Sequence, residues 1–151
     1  MIDIPFWLDH KPRSIEVVCM GFPDEVLFDG TKLPEQRRII EYAERNFERT
    51  IFFGHAYELN PHIPLIDKSK RVEVIGTCAN TCVYNSALNL LRRGISVLIK
   101  PSLIMGQMRL SGIESEQQDR EQNIEWLRKY LSEYGFYVRL NGEVLLADCA
   151  R

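Results

Sequence analysis

The chain has 151 residues, 45% of them apolar and 26% charged, with a formal charge of −2. That is enough for one domain, spanning residues 1–151, with a core of its own; it is too apolar and too weakly charged for a disordered chain. No field of one sign recruits nucleic acid or an anionic membrane surface. No run approaches the roughly 20 apolar residues of a membrane-spanning helix. The opening MIDIPFWLDHKPR lacks the basic start and apolar stretch of a secretory signal, so a cytoplasmic setting is expected. Cys19, Cys78, Cys82 and Cys149 are then expected to be reduced thiols.

Short β-branched runs alternate with helical patterns, which predicts βαβ units and a mostly parallel sheet. Ile15 to Met20 reads as the first strand. A helix follows from Pro34, whose missing N–H suits a first turn, with Ile39, Ile40, Ala43 and Phe47 on one face. Thr50 to Phe53 and Val72 to Ile75 read as the second and third strands. The next helix is expected from about Thr81 to Arg93, with Val83, Ala87, Leu90 and Leu91 as its apolar stripe and Gly94 as its stop. Ile95 to Ile99, almost wholly apolar, reads as a central fourth strand. Ser115 and Gln118 have capping-box spacing before a last helix, with Ile124, Leu127, Leu131 and Tyr134 on its expected buried side and Gly135 at its end. Phe136 to Leu140 forms a fifth strand, and Asn141-Gly142 can turn into a short sixth. The predicted architecture is a three-layer α/β/α sandwich around a doubly wound sheet of five to six strands.

The chemistry concentrates where the third strand meets its helix. The strand ends at Gly76, Asn80 has the character of an N-cap, and Cys82 falls in the first helical turn. Free N–H groups in that turn favour a thiolate, the nucleophilic form of cysteine. The carboxyl ends of strands are also where open α/β sheets bind ligands. A cysteine buried where a helix meets a sheet is the structural reading of the same position.

The run Gly76-Thr77-Cys78-Ala79-Asn80-Thr81-Cys82-Val83, with Ser86-Ala87 and Arg93-Gly94 before an apolar strand, resembles the nucleophile motif of the isochorismatase superfamily. That superfamily includes nicotinamidases and related amidohydrolases. The resemblance implies Cys82 as a nucleophile that attacks an amide or related carbonyl and forms an acyl-enzyme, without a cofactor. It implies an oxyanion hole from backbone N–H groups of Cys78 or Ala79 and of Cys82, an Asp base at the end of the first strand, and a Lys.

The first strand reads Val17-Val18-Cys19-Met20-Gly21, so Cys19 stands where the Asp is expected and would line the pocket. Asp24 or Glu25 could replace the base, and Lys68 or Lys70 could supply the lysine. His55 is a further pocket candidate. His55, Glu58 and His62 form only a weak metal set, and no metal is expected.

Three functions follow. The first is a hydrolase acting on a small amide or related carbonyl compound. The second is a degraded relative that serves as a binding or interaction module. The third is thiol redox chemistry, if Cys19 approaches Cys82 within disulfide reach, or with Cys78 and Cys82 as a second possible pair. A small-molecule ligand is expected in any case. Phe6, Trp7 and Trp126 could pack in the core or form the surface of a homo-oligomer.

Overall fold

The computed structural model describes residues 9–21 and 32–149. Strand β1 (Val17–Met20) pairs in parallel with β2 (Thr50–Phe53) on one side and β3 (Val72–Thr77) on the other. The first half of β3 pairs in parallel with β4 (Val97–Ile99). Its last residues pair with the two-residue β5 (Ile104–Met105). A hairpin of β6 (Tyr137–Asn141) and β7 (Val144–Asp148) adds to β4 antiparallel. The order is β2-β1-β3-β4-β7-β6, with β5 beside β3. The expected mostly parallel α/β sheet is therefore present, with seven strands among the described residues where five to six were expected.

Helix α1 (Pro34–Arg45) opens with Pro34, and the Gln36 side chain accepts the Leu33 N–H at 2.7 Å. It lays Ile39, Ile40 and Ala43 on one face of the sheet, against Val17, Cys19, Phe52 and Ile75. The other face carries Val18, Met20, Val72, Val74 and Val97. These are covered by α2 (Tyr84–Arg92) and by the longest helix. Val83, Ala87, Leu90 and Leu91 are all buried there, as their spacing predicts. Burying each of the larger side chains stabilises the fold by about 1.5–3 kcal/mol.

Two glycines let β1 and β3 close up at their carboxyl ends. A Cβ on Gly76 (φ +112°) would lie 2.1 Å from the Met20 carbonyl oxygen, and one on Gly21 (φ +75°) would lie 2.4 Å from that of Thr77. The β6–β7 turn has Gly142 at positive φ, as the Asn141-Gly142 pair predicts.

Three segments differ from expectation. Residues Ala56–Leu65 form a 3₁₀ segment that buries Leu59 and Ile63, where Pro61 and Pro64 exclude an α-helix. β5 was not anticipated. It arises because Pro101 opens a 3₁₀ turn (Pro101–Leu103) that interrupts the strand begun by β4 before the chain returns beside β3.

The last helix, α4 (Glu116–Glu133), follows the short α3 (Gln107–Leu110). Its cap forms as predicted, with Ser115 Oγ accepting the Gln118 N–H and Gln118 Oε1 accepting the Ser115 N–H. Its buried stripe runs Asp119, Asn123, Leu127, Leu131. Tyr134, expected inside, is exposed, and Ile124 is only half-buried. No helix among the described residues is long and apolar enough to cross a membrane.

Candidate functional site

The chain runs from β1 out to β2 and then crosses over to β3, so the winding direction reverses between β1 and β3. The carboxyl edge at such a reversal is where doubly wound sheets hold ligands. Cys82 lies at this edge. The backbone reaches it through a cis Thr77–Cys78 peptide and a five-residue π-turn (Ala79–Val83). Cys78, in extended backbone, caps this turn in place of the expected Asn80, and its carbonyl accepts the N–H groups of Thr81 (3.2 Å) and Val83 (3.1 Å). Local π geometry is rare and concentrates at functional sites.

The Cys82 thiol is half-buried and makes a long contact, 3.9 Å, to the Gly54 carbonyl oxygen. It opens into a groove of about 370 Å³ between the 3₁₀ segment and α2, within the size range of small-molecule pockets. His55, Tyr57 and Asn60 form one wall, and Thr81, Asn85 and Asn89 the other. The His55 and Tyr57 rings lie nearly parallel, with centroids 5.5 Å apart, and the His55 N–H donates to Glu58 at 3.0 Å. No Asp, Glu, Lys or Arg side chain lines this groove among the described residues.

The remaining candidates distribute as follows. Ala79 is buried against the core, and the Cys78 thiol points to Gln107 Oε1 at 3.4 Å. Cys19 does not line the pocket. It is 1% exposed and lies in the core under α1. Cys82 packs against the core on the opposite face. Alternation along β1 sends Val18 and Met20 toward the Cys82 side and Cys19 away, so the sheet separates the two sulfurs. None of the four cysteines is in a disulfide.

Lys68 is also misplaced for a catalytic role. It is exposed in a turn that precedes β3, where Asp67 accepts the Ser69 N–H. The length of β3, about 17 Å at 3.3 Å per residue, separates that turn from the carboxyl edge, beyond the reach of a lysine side chain. Lys70, in the same turn, pairs with Glu16 at 3.8 Å. Asp24, Glu25, Phe6 and Trp7 lie outside the described residues. The His62 ring packs on Phe53, 5.2 Å between centroids, and no cluster of three metal-ligating side chains occurs among the described residues. Trp126 is half-buried, edge-on to Tyr84 with centroids 4.8 Å apart.

A second cavity escaped the sequence reading. It measures about 120 Å³ and lies between the π-turn, Gly106 and α4, with Asp119 and Asn123 in its wall. Burial pushes the Asp119 carboxyl up from its ordinary value; hydrogen bonds from Gly106 and Asn123 only partly oppose this, and Glu114 and Glu35 add to it. Beside it, burial opposes ionisation of Glu35, but the Arg109 and backbone hydrogen bonds together with the charges of Arg109 and Arg38 outweigh it and hold that carboxyl below its ordinary value. The usable signal was the spacing of Asp119 and Asn123 on the same helical stripe as Leu127 and Leu131.

Comparison with family models, with curated proteins and with solved structures finds no match to this chain.

Proposed function

We propose that the chain is a cysteine hydrolase of the isochorismatase-like kind, acting in the cytoplasm on a small amide or related carbonyl compound. The carrying observation is the Cys82 thiol on a turn at the carboxyl edge of a central strand, opening into a groove whose lining includes Asn60, Asn85 and Asn89. Cys82 Sγ would attack the carbonyl carbon, the leaving group would depart as the acyl-enzyme forms, and water would release the acid. Backbone N–H groups of the turn would receive the oxyanion. Asn60, Asn85 and Asn89 would orient a neutral polar substrate by hydrogen bonds.

The reaction requires an acceptor for the thiol proton. Among the described residues no carboxylate hydrogen-bonds the thiol. Asp24 is the base candidate, a few residues beyond Gly21, which packs against Thr77.

A second reading, a binding module without turnover, is favoured by the Gly54 carbonyl. It is an acceptor that can hold the S–H proton but cannot take it. Incubation with p-nitrophenyl acetate separates the two readings. A hydrolase gives continuing release of p-nitrophenolate with an acetyl group trapped on Cys82 by mass spectrometry, both absent from Cys82→Ala. Acetylation of Cys82 that stops at one equivalent supports the binding reading, and an unmodified Cys82 refutes the nucleophile.

A further inference from the structure

We propose that the cavity between the π-turn, Gly106 and α4 binds a small N–H-bearing organic cation, an alkylammonium or alkylguanidinium, against the Asp119 carboxylate. This site is distinct from the Cys82 groove. The π-turn separates them, with Ala79 and Asn80 facing one cavity and Thr81 and Cys82 the other.

The charge argument comes first. Asp119 is 4% exposed, and its partners are neutral: the Gly106 N–H at 3.0 Å and 3.3 Å, and Asn123 Nδ2 at 3.1 Å. Glu114 adds a second carboxylate to the lining, which holds no lysine or arginine among the described residues. Arg109, the cation whose field reaches Asp119, is already committed. Its Nε and Nη2 donate to Glu35, and its Nη1 donates to the Glu114 carbonyl at 3.3 Å. Burial and the neighbouring carboxylates Glu114 and Glu35 accordingly disfavour the ionised form of Asp119. An incoming cation would relieve that penalty, because a buried charge is tolerated when it is paired.

The lining fits the shape and donors of such a ligand. A cavity of about 150 Å³ holds the six carbons of benzene, so 120 Å³ suits a ligand of about five non-hydrogen atoms. Asn80, Gln107 and Gln122 are amide residues of the lining, a type that can accept N–H groups, and Trp126 adds an aromatic residue suited to a cation. Residue 106 must be glycine for this arrangement, since a Cβ there would lie 2.6 Å from Asp119 Oδ1.

The sequence has two tryptophans, so in a Trp7→Phe background the emission reports Trp126. Titration with methylguanidinium chloride at constant ionic strength is expected to give a saturable emission change. Tetramethylammonium, which has no N–H, is expected to give none. Asp119→Asn is expected to weaken binding at least tenfold. In ¹⁵N spectra of the unsubstituted protein, the Gly106 amide and the Asn123 side-chain amide should shift along the same curve, a readout that stands even if Asp119→Asn misfolds. The proposal is overturned by a linear response, by equal binding in a folded Asp119→Asn, or by unmoved Gly106 and Asn123 signals.

Discussion

Gly76→Ala probes the seam on which the Cys82 site is built. Residue 76 has φ +112°, a region that L side chains rarely adopt, and the strain of holding alanine there is about 1–3 kcal/mol. The added Cβ would also sit 2.1 Å from the Met20 carbonyl oxygen and 2.7 Å from its nitrogen. These are backbone atoms, so relief requires β1 and β3 to separate where Met20 opposes Gly76. Losing one or two ladder hydrogen bonds removes about 1 kcal/mol each. The total is about 2–5 kcal/mol, and at about 2 kcal/mol per molar the urea midpoint should fall by about 1–2.5 M. Gly94→Ala is the control. It carries a positive φ of 83° but meets nothing within 4 Å, so only strain remains, about 1–2 kcal/mol. Equal losses in the two variants, or a Gly76→Ala loss under 1 kcal/mol, would refute the close-approach argument.

Arg109→Leu should destabilise the fold by about 3 kcal/mol at neutral pH, because it strands Glu35, whose side chain is 3% exposed. Arg109 holds the Glu35 carboxyl below its ordinary value, so this stabilisation is full above the unfolded value near 4.3 and is lost as pH falls through the folded one. Urea unfolding at pH 7 and pH 4 should therefore show the gap to wild type narrowing in acid; a constant gap contradicts the pairing. Tyr42 is pushed up to about 12 by burial and by its hydrogen bond to Glu73, which also faces Lys100 at 3.6 Å. The folded state keeps this proton longer than the unfolded state, so stability should decline between about pH 10 and 12. In a spectrophotometric titration Tyr42→Phe should remove the latest phenolate step, and its persistence would place that step on another tyrosine.

Much of the scaffold was legible because burial and periodicity agree there. Thr50–Phe53 is a strand with the predicted bounds, and Val83, Ala87, Leu90 and Leu91 pack as their spacing requires. The details that shape the sites were not legible. The π-turn depends on Cys78 rather than Asn80 capping the segment, a choice made by tertiary fit and not by propensity. β5 is two residues long and forms where the chain, interrupted by the Pro101 turn, returns beside the last residues of β3. Asp119 and Asn123 were not singled out, because polar residues on a helix gain a buried role only when Gly106, thirteen residues before Asp119, is folded back against them. Cys19 was misassigned because strand alternation fixes a side chain's face only once the sheet's two covering layers are known.

The central claim, that Cys82 is the accessible nucleophilic thiol of this fold, is tested most directly by limited iodoacetamide alkylation of the reduced protein. Peptide mass spectrometry would then rank all four cysteines within one sample. Cys82 should be modified first, ahead of the equally half-buried Cys78 and Cys149, with the core residue Cys19 last. Labelling of Cys78 ahead of Cys82, or a Cys82 that stays unmodified until the protein is unfolded, would contradict the account.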